Sequence, residues 1–310
     1  DVFRTRTINA PAAVIYNNVI DLKNWEAWSP WIEKDSTLTF NYPEKTSGVG
    51  GSYSWTGEDG KGVMTITDAT PNANIFQELK FEGFPPSNVY WNFENADGGT
   101  KVTWGMKSDN VSFLLKFFAI ISGGMDKMIG PDYERGLEKL DALIIESMEK
   151  YEVIINGITE YGGGFYLYKT TNATSANISS TMGQQYGSIG MYMGQNNIES
   201  SGMPLTIYHD MNSENGSVIM SNGIPVKEKI IVADDSDILC GYMPKMKVLK
   251  ATLKGNYSNL GTAWGNVMKH IADNNLIQSE EKPFEIYTTD PGNYPNPADW
   301  ITEIYIPIVE

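Results

Sequence analysis

Hydrophobic and polar residues alternate with a period of two along much of the first half of the chain, which predicts a series of strands. The chain opens with an alternating strand at residues 2–8, and turn signals separate it from further strand-like segments. These segments lie near residues 38–42, 51–55, 62–67, 75–81, 88–93 and 100–106. We therefore expect an antiparallel sheet in this half.

Helical patterns flank these strands. Pro11 marks a helix start and predicts a short helix over residues 12–20, followed by a second short helix near residues 21–25. An apolar stripe with helical spacing predicts a long helix over residues 131–151. The fold class is thus α+β, and a curved sheet around the long helix would leave an elongated apolar cavity. Large aromatic residues dominate cores, so we interpret the tryptophans of this half as core: Trp25, Trp28, Trp31, Trp55, Trp91 and Trp104.

Three segments of the first half, residues 8–16, 21–31 and 128–140, carry a likeness to a known family. On these segments the first half resembles the SRPBCC superfamily, in the polyketide-cyclase-like branch of the START/Bet v-like helix-grip fold. The resemblance covers about residues 1–150 and implies a helix-grip domain. It says little about function, because the superfamily contains hydrophobe carriers, cyclases and domains with no known activity.

The second half contains an internal repeat. The helical stripe Met182, Tyr186, Ile189, Met193 recurs at constant spacing as Leu260, Trp264, Val267, Ile271. Downstream, residues 204–208 correspond to 283–287, and residues 224–226 correspond to 306–308. Each unit is predicted to consist of a strand, a helix and two strands. Two such units would form one sheet with both helices on one face and a concave groove on the other.

One carboxylate interrupts the apolar strand that ends the chain. Side chains alternate between the two faces of a strand, so Ile301, Glu303 and Tyr305 share one face. A Glu in that setting lies in a low dielectric and needs a cationic or hydrogen-bonding partner, or it takes up a proton. It can serve a site for cationic ligands, or it can be satisfied by backbone amides or an edge Lys.

Residues 255–260, 283–291 and 300–308 of the duplicated unit carry a second likeness to a known family. On these residues the unit resembles the GyrI-like effector-binding domain, which occurs alone and fused to AraC- and MerR-type regulators, and the match covers about residues 152–310. The resemblance implies an aromatic groove that receives drug-like, often cationic ligands through the acid of the terminal strand. Glu303 is the matching acid, and the repeat places Ser221 at the equivalent position. We predict a ligand groove that contains Glu303, Tyr305, Tyr257, Trp264 and Tyr287.

Charge argues against direct nucleic-acid binding. The chain of 310 residues has 38 acidic and 23 basic residues, a net charge of −15, whereas a phosphate-binding surface needs clustered Lys and Arg. No DNA-binding domain is apparent, so any role in transcription would require a regulator protein as partner. The length suggests two domains of about 150 residues each, which we place at residues 1–150 and 152–310.

The remaining chemistry is sparse. His209-Asp210 is interpreted as a surface or turn feature, and no cofactor, metal cluster or catalytic set is predicted. The longest apolar run, residues 113–121, is interrupted by Lys116 and is too short to span a bilayer. The chain begins at Asp1 rather than Met, so we expect an upstream segment, and the sequence leaves localisation open.

Three function classes follow from the sequence. The first is a protein that binds a small hydrophobic or cationic molecule. The second is a hydrolase that uses the Glu303 groove on drug-like molecules, because some stand-alone members of the family that the second half resembles activate water with the groove acid. The third is an interaction-only role for the first half.

Overall fold

The first strand and first helix form where the alternation and the proline predict them. The computed structural model describes residues 1–58, 60–107, 125–212 and 215–309. Strand β1 (Val2–Ile8) leads into helix α1 (Ala12–Ile20), with Pro11 at the N-cap. A 3-10 helix (Leu22–Ala27), capped by the side chain of Asp21, and helix α2 (Trp31–Lys34) follow.

The rest of the first unit is a meander. The strands are β2 (Thr39–Asn41), β3 (Ser52–Gly57), β4 (Gly60–Thr70), β5 (Asn74–Phe81), β6 (Ser87–Ala96) and β7 (Gly99–Lys107). Within the described residues these strands and β1 form a seven-stranded antiparallel sheet in the order β1-β7-β6-β5-β4-β3-β2. Helix α3 (Met125–Glu149) buries Tyr133, Leu137, Leu140 and Ile144 in the core. The predicted α+β helix-grip architecture is confirmed.

One expectation for this unit needs correction. Helix α3 extends upstream of the predicted start and holds Pro131 inside it, because Ile129, one turn before Tyr133, also packs against the core. Tryptophan rings line the inner side of the sheet, where an elongated apolar cavity was expected. Trp91 stacks on Trp104 at 4.5 Å, and Trp104 stacks on Tyr133 of α3 at 4.2 Å. The apolar run at residues 113–121 lies outside the described residues.

The second unit consists of a single sheet and two helices. The chain divides into the units Asp1–Met148 and Glu149–Glu310. The second unit begins with β8 (Glu152–Tyr161), β9 (Gly164–Thr174), helix α4 (Ile178–Gln195), β10 (Leu205–Asn212) and β11 (Ser217–Val226). It continues with β12 (Leu239–Met243), β13 (Met246–Lys254), helix α5 (Leu260–Asp273), β14 (Phe284–Tyr287) and β15 (Ile301–Pro307).

The sheet is pseudo-symmetric. Its order in the described residues is β12-β9-β11-β10-β14-β15-β13-β8, so the two repeat units meet at the central strands β10 and β14. Helix α4 packs Ile189 and Met193 on Leu167 and Val226, and α5 packs Ala263, Val267 and Ile271 on β13 and β15. Residues paired across antiparallel strands share a face, and the registers place these helix-facing residues on the same side of the sheet. The predicted duplication and the common helical face are confirmed.

Candidate functional site

A carboxylate is buried beneath the helices at the centre of this sheet. Glu285 lies on β14 and is 1% exposed. It pairs with Thr206 of β10 on one side and with Ile304 of β15 on the other, so it points to the helix-covered face. The short strand Phe284–Tyr287 alternates, which places Glu285 and Tyr287 on that face and Phe284 on the opposite one.

Three neutral donors hold this carboxylate. Tyr287 OH donates to Glu285 Oε2 at 2.6 Å, and Tyr208 OH donates to the same oxygen at 2.8 Å. Trp264 Nε1, on α5, donates to Oε1 at 2.5 Å. Hydrogen bonds to an ionised acceptor are the strong ones, and together they orient the carboxylate within the site.

Aromatic rings surround the acid. The ring centroid of Tyr287 lies 5.6 Å from that of Tyr257 and 6.3 Å from that of Tyr186 on α4. Tyr257 in turn packs on Trp300 at 4.7 Å. A 3-10 turn, Tyr257–Asn259, positions Tyr257, and the side chain of Asn256 caps this turn by accepting from Ser258 N. The result is a half-buried aromatic wall beside a buried acid.

The buried acid of this site has no cationic partner among the described residues. Burial raises the pKa of the Glu285 carboxyl, and the bonds from Tyr287, Trp264 and Tyr208 only partly oppose this shift. The pKa values of Tyr208 and Tyr287 lie well above their usual range, because both phenols are buried and stand beside Glu285. Among the described residues, the ion pairs include no Lys or Arg on Glu285. Ionisation of Glu285 is therefore costly in this site unless a cation lies beside the carboxylate.

The structure brings together three of the five predicted ligand residues. Tyr257, Trp264 and Tyr287 surround Glu285, as described above. Glu303 and Tyr305 lie elsewhere, and the expectation of one groove containing all five is wrong. Glu303 pairs with Ile286, and Tyr305 pairs with Phe284, so both point to the sheet face away from the helices.

Glu303 has a cationic partner of its own. Lys250 Nζ lies 2.6 Å from Glu303 Oε1, and Tyr305 OH donates to Oε2 at 2.5 Å. Phe284 stacks on Tyr305 at 4.9 Å, and Lys250 Nζ lies 5.5 Å from the Tyr305 ring centroid. Of the two sequence interpretations of Glu303, an acid satisfied by a lysine is the one that describes its contacts.

Sequence reasoning missed Glu285, Tyr208 and Tyr186. The signal was present, because Glu285 interrupts an apolar strand just as Glu303 does and falls inside the repeat. In that repeat Glu285 corresponds to Thr206, Tyr287 to Tyr208, and Trp264 to Tyr186. A comparison of the two halves at these positions would have singled out one acid among aromatic residues.

A second polar cluster lies on the opposite face. His209 Nε2 is 2.7 Å from Ser221 Oγ, which is 2.8 Å from Thr170 Oγ1. His209 lies at the register shift between Tyr208 and Asp210, and its ring forms a hydrogen bond with Ser221; no hydrogen bond joins it to Asp210 among the described residues. Burial, and then the charge of Lys282, lowers the pKa of His209. Ser221, the hydrogen-bond partner of the His209 ring, is only 1% exposed. No group of three or more metal-ligating side chains is present in the described ranges.

The Glu285 site is closed in this structure. Two clefts elsewhere in the described residues measure about 730 and 560 Å³. The first involves Lys23 and Tyr42 of the first unit, and the second Tyr161 and Tyr242 of the second unit. Neither includes Glu285, which is only 1% exposed, so a ligand that reaches its carboxylate must move the side chains that cover it. The helices of the described ranges include none long and apolar enough to cross a membrane.

Comparisons with known proteins agree with this architecture. The family model described as GyrI-like small molecule binding domain matches residues 165–309. The family model described as polyketide cyclase / dehydrase and lipid transport matches residues 1–144. No curated protein matches the chain.

Several solved structures are similar in part. The crystal structure of the EcmrR C-terminal domain is 20% identical, with a TM-score of 0.40 over 52% of this chain and 98% of that chain. The cryo-EM structure of an EcmrR–DNA complex is 17% identical, with a TM-score of 0.45 over 65% and 74% of the two chains. Protein CV1439 from Chromobacterium violaceum is 16% identical, with a TM-score of 0.34 over 46% and 95%.

Both family matches coincide with the two units of the structure and with the resemblances found in the sequence. The chain therefore joins a domain of the polyketide cyclase / dehydrase and lipid transport family, within the SRPBCC superfamily, to a GyrI-like small-molecule-binding domain.

Proposed function

We propose that the second unit binds a hydrophobic monocation at Glu285. The observation that carries this proposal is a fully buried carboxylate whose donors, Tyr208, Tyr287 and Trp264, are all neutral. An ionised group in low dielectric is costly unless an opposite charge accompanies it. A cationic ligand would supply that charge.

The aromatic wall suits the same ligand. The ring of Tyr287, whose hydroxyl binds the acid, makes edge-on contacts with Tyr186 and Tyr257 at centroid distances of 6.3 and 5.6 Å. A cation over an aromatic ring gains on the order of 0.5–2 kcal/mol, and more when both are desolvated. Lipophilic substituents around the charge would pack against these rings. The site would therefore favour ligands that are both hydrophobic and positively charged.

The contrast with Glu303 supports Glu285 as the ligand acid. Both oxygens of Glu303 are engaged, one by Lys250 and the other by Tyr305. A ligand cation at Glu303 would have to compete with Lys250, whereas at Glu285 it meets no resident cation among the described residues. We accordingly propose Glu285, Tyr208, Tyr186, Tyr257, Trp264 and Tyr287 as the ligand site, and exclude Glu303 and Tyr305 from it.

Hydrolysis by Glu303 has less support. A general base needs a free lone pair directed at a water molecule. The ammonium of Lys250 and the phenol of Tyr305 occupy the carboxylate of Glu303 on both sides. Binding without chemistry is therefore the function that the geometry favours.

We propose further that any regulatory role is exerted through a partner protein. A net charge of −15 opposes approach to a polyanion, and phosphate recognition needs converging Lys or Arg. Fluorescence anisotropy with random duplex DNA at low salt tests this directly. Micromolar binding that weakens with added salt would contradict it.

Calorimetric titration with tetraphenylphosphonium, a hydrophobic monocation, tests the ligand site. Removing one partner of a buried charge pair costs about 2–5 kcal/mol, so we expect Glu285→Gln to weaken binding by at least about 30-fold. Glu303→Gln is the matched control, the same change on the opposite face of the sheet, and should bind as the wild type does. Equal losses in both variants, or none in Glu285→Gln, would refute the assignment.

A further inference from the structure

A chain of buried polar side chains runs from Glu285 into the other repeat unit. Tyr287 OH, the donor to Glu285, also lies 3.4 Å from Thr206 Oγ1. Thr206 Oγ1 donates to Asn222 Oδ1 at 2.7 Å, and Asn222 Nδ2 donates to Gln185 Oε1 at 2.7 Å. Thr206 and Asn222 are fully buried, and Gln185 lies half-buried on α4.

The donor directions along this chain leave one group free at its end. Thr206 donates to the oxygen of Asn222, so the amide nitrogen of Asn222 faces Gln185, which accepts with its own oxygen. The Nε2 group of Gln185 then points away from Asn222. No hydrogen bond from this nitrogen to another described residue occurs, so it can donate to a bound molecule.

The end of the site near Gln185 carries no unpaired charge in the described part of the chain. The position equivalent to Glu285 in this repeat unit is Thr206, which carries no charge. The nearest cation in register is Lys169, which pairs with Asn222 across β9 and β11, and its Nζ is bound to Asp237 at 2.5 Å. Neither a second cation nor an anion on the ligand would find a free counter-charge here.

We propose that the ligand of the Glu285 site carries, besides its cationic group, an uncharged hydrogen-bond acceptor that Gln185 Nε2 binds. This inference rests on the proposed function of Glu285. The site would then span the boundary between the repeat units. Glu285 of the second unit would bind the cationic group of the ligand, and Gln185 of the first would bind a carbonyl or ether oxygen. Gln185 becomes a specificity-determining residue, and simple lipophilic cations become weaker ligands than those bearing such an oxygen.

The test compares two kinds of probe on the full chain by calorimetry. One probe is tetraphenylphosphonium, and the others are its meta- and para-acetylphenyl analogues, which add a carbonyl acceptor to the same cation. One net hydrogen bond is worth about 1 kcal/mol, so we expect at least one acetyl probe to bind wild type about fivefold more tightly than the parent.

The variant Gln185→Met keeps the side-chain length and removes both amide atoms, the free Nε2 donor and the Oε1 that accepts from Asn222 Nδ2. It should abolish the advantage of the acetyl probe over tetraphenylphosphonium, a ratio of two affinities that is independent of any common loss caused by the unpaired Asn222 Nδ2. Gln184→Met, at an exposed neighbouring position on α4, is the matched control and should keep the advantage. Unfolding curves for both variants check that the fold is retained.

The outcomes separate the two proposals. Equal affinity of wild type for all three probes, or a Gln185→Met variant that loses affinity for all probes alike, would overturn the role of Gln185 while leaving Glu285 as the cation site. Failure of every probe to bind wild type, or binding unaffected by Glu285→Gln, would instead overturn the proposed function, and this inference would fall with it.

Discussion

Thr206 and Glu285 face each other across the two central strands of the second unit, and they are also equivalent positions of its internal repeat. The pseudo-twofold axis therefore passes between them. The equivalent phenols Tyr208 and Tyr287 both donate to the same oxygen of Glu285, because only one of the two axial positions carries an acid. A symmetric scaffold thus gives an asymmetric site with a single charge.

This relationship predicts the effect of restoring symmetry. Thr206→Glu would place a second carboxylate about 5 Å from the first across the strand pair, in low dielectric, where one of the two must hold a proton. We expect the free energy of unfolding of the variant, measured in urea at pH 7, to be about 1–3 kcal/mol lower than that of wild type. The difference should be smaller at pH 5. Thr206→Gln, which is similar in size but neutral, is the control. A Thr206→Glu variant as stable as Thr206→Gln at both pH values would contradict the placement of these residues.

The raised pKa of Glu285 predicts how stability depends on pH. In the unfolded chain, Glu285 loses its proton as the pH rises above its ordinary pKa of 4.5. In the folded chain it keeps the proton until the pH reaches the raised pKa. The folded state therefore binds more protons in this window, and its free energy of unfolding falls as pH rises.

Glu285→Gln removes this titration, so its stability relative to wild type should increase from pH 4 towards pH 8. Urea unfolding of both proteins across that range measures the difference. Over the same window, binding of a cationic probe by wild type should strengthen as Glu285 ionises. Parallel stability profiles for the two proteins would show that Glu285 does not titrate as its burial implies.

The elements of both units could be read from the sequence because their periodicity is strong, but the site could not. Strand parity shows that Glu303 and Tyr305 share a face, yet it cannot show which face of the sheet the helices cover. That depends on the registers that link β15 to β14 and β13. The partner of Glu303, Lys250, lies on another strand, and nothing local in the sequence marks it. Glu285 of β14 also interrupts an apolar strand, as Glu303 does, and only the fold shows which of the two acids lies beneath the helices.

Helix α4 contains four glycines that its packing does not require. A Cβ built at Gly183, Gly187, Gly190 or Gly194 meets nothing within 4 Å. Alanine in a helix interior is more favourable than glycine by about 0.5–1 kcal/mol. Gly187→Ala and Gly190→Ala should each raise the free energy of unfolding by this amount.

Gly255→Ala is the contrasting control for this series. Gly255 has a φ of +139°, and a Cβ there would lie 2.4 Å from the Cβ of Tyr151, so this variant should be destabilised. Urea unfolding of the three variants provides the comparison. Losses of stability at Gly187 and Gly190 would contradict the open space found around these two positions.

The separate hydrophobic cores of the two units predict two independently folding domains. Tyr151 is exposed beside Lys150, and the units divide at residues 148 and 149. We expect limited trypsin digestion to cut after Lys150 and release two fragments, each of which unfolds cooperatively when produced alone. A fragment of residues 1–150 or 151–310 that shows no cooperative transition would count against this division.

Gln77 provides a test of the first unit. It lies on β5 with 1% of its surface exposed, and neither its amide oxygen nor its nitrogen has a hydrogen-bond partner within the described ranges. It pairs with Ile66 and Val89, so it faces the same core as Ile75 and Trp91. Leaving a buried polar group unpaired costs about 1–3 kcal/mol.

Gln77→Met keeps the length of the side chain and removes both unpaired atoms. We expect it to raise the free energy of unfolding of the first unit by about 1–3 kcal/mol, since the apolar side chain carries no desolvation cost. Gln77→Ala, which removes the polar atoms but also most of the packing, should be destabilised instead. Tryptophan fluorescence follows this unfolding, because Trp91 and Trp104 are buried in the same core. A loss of stability in Gln77→Met would contradict the absence of hydrogen-bond partners for the Gln77 amide.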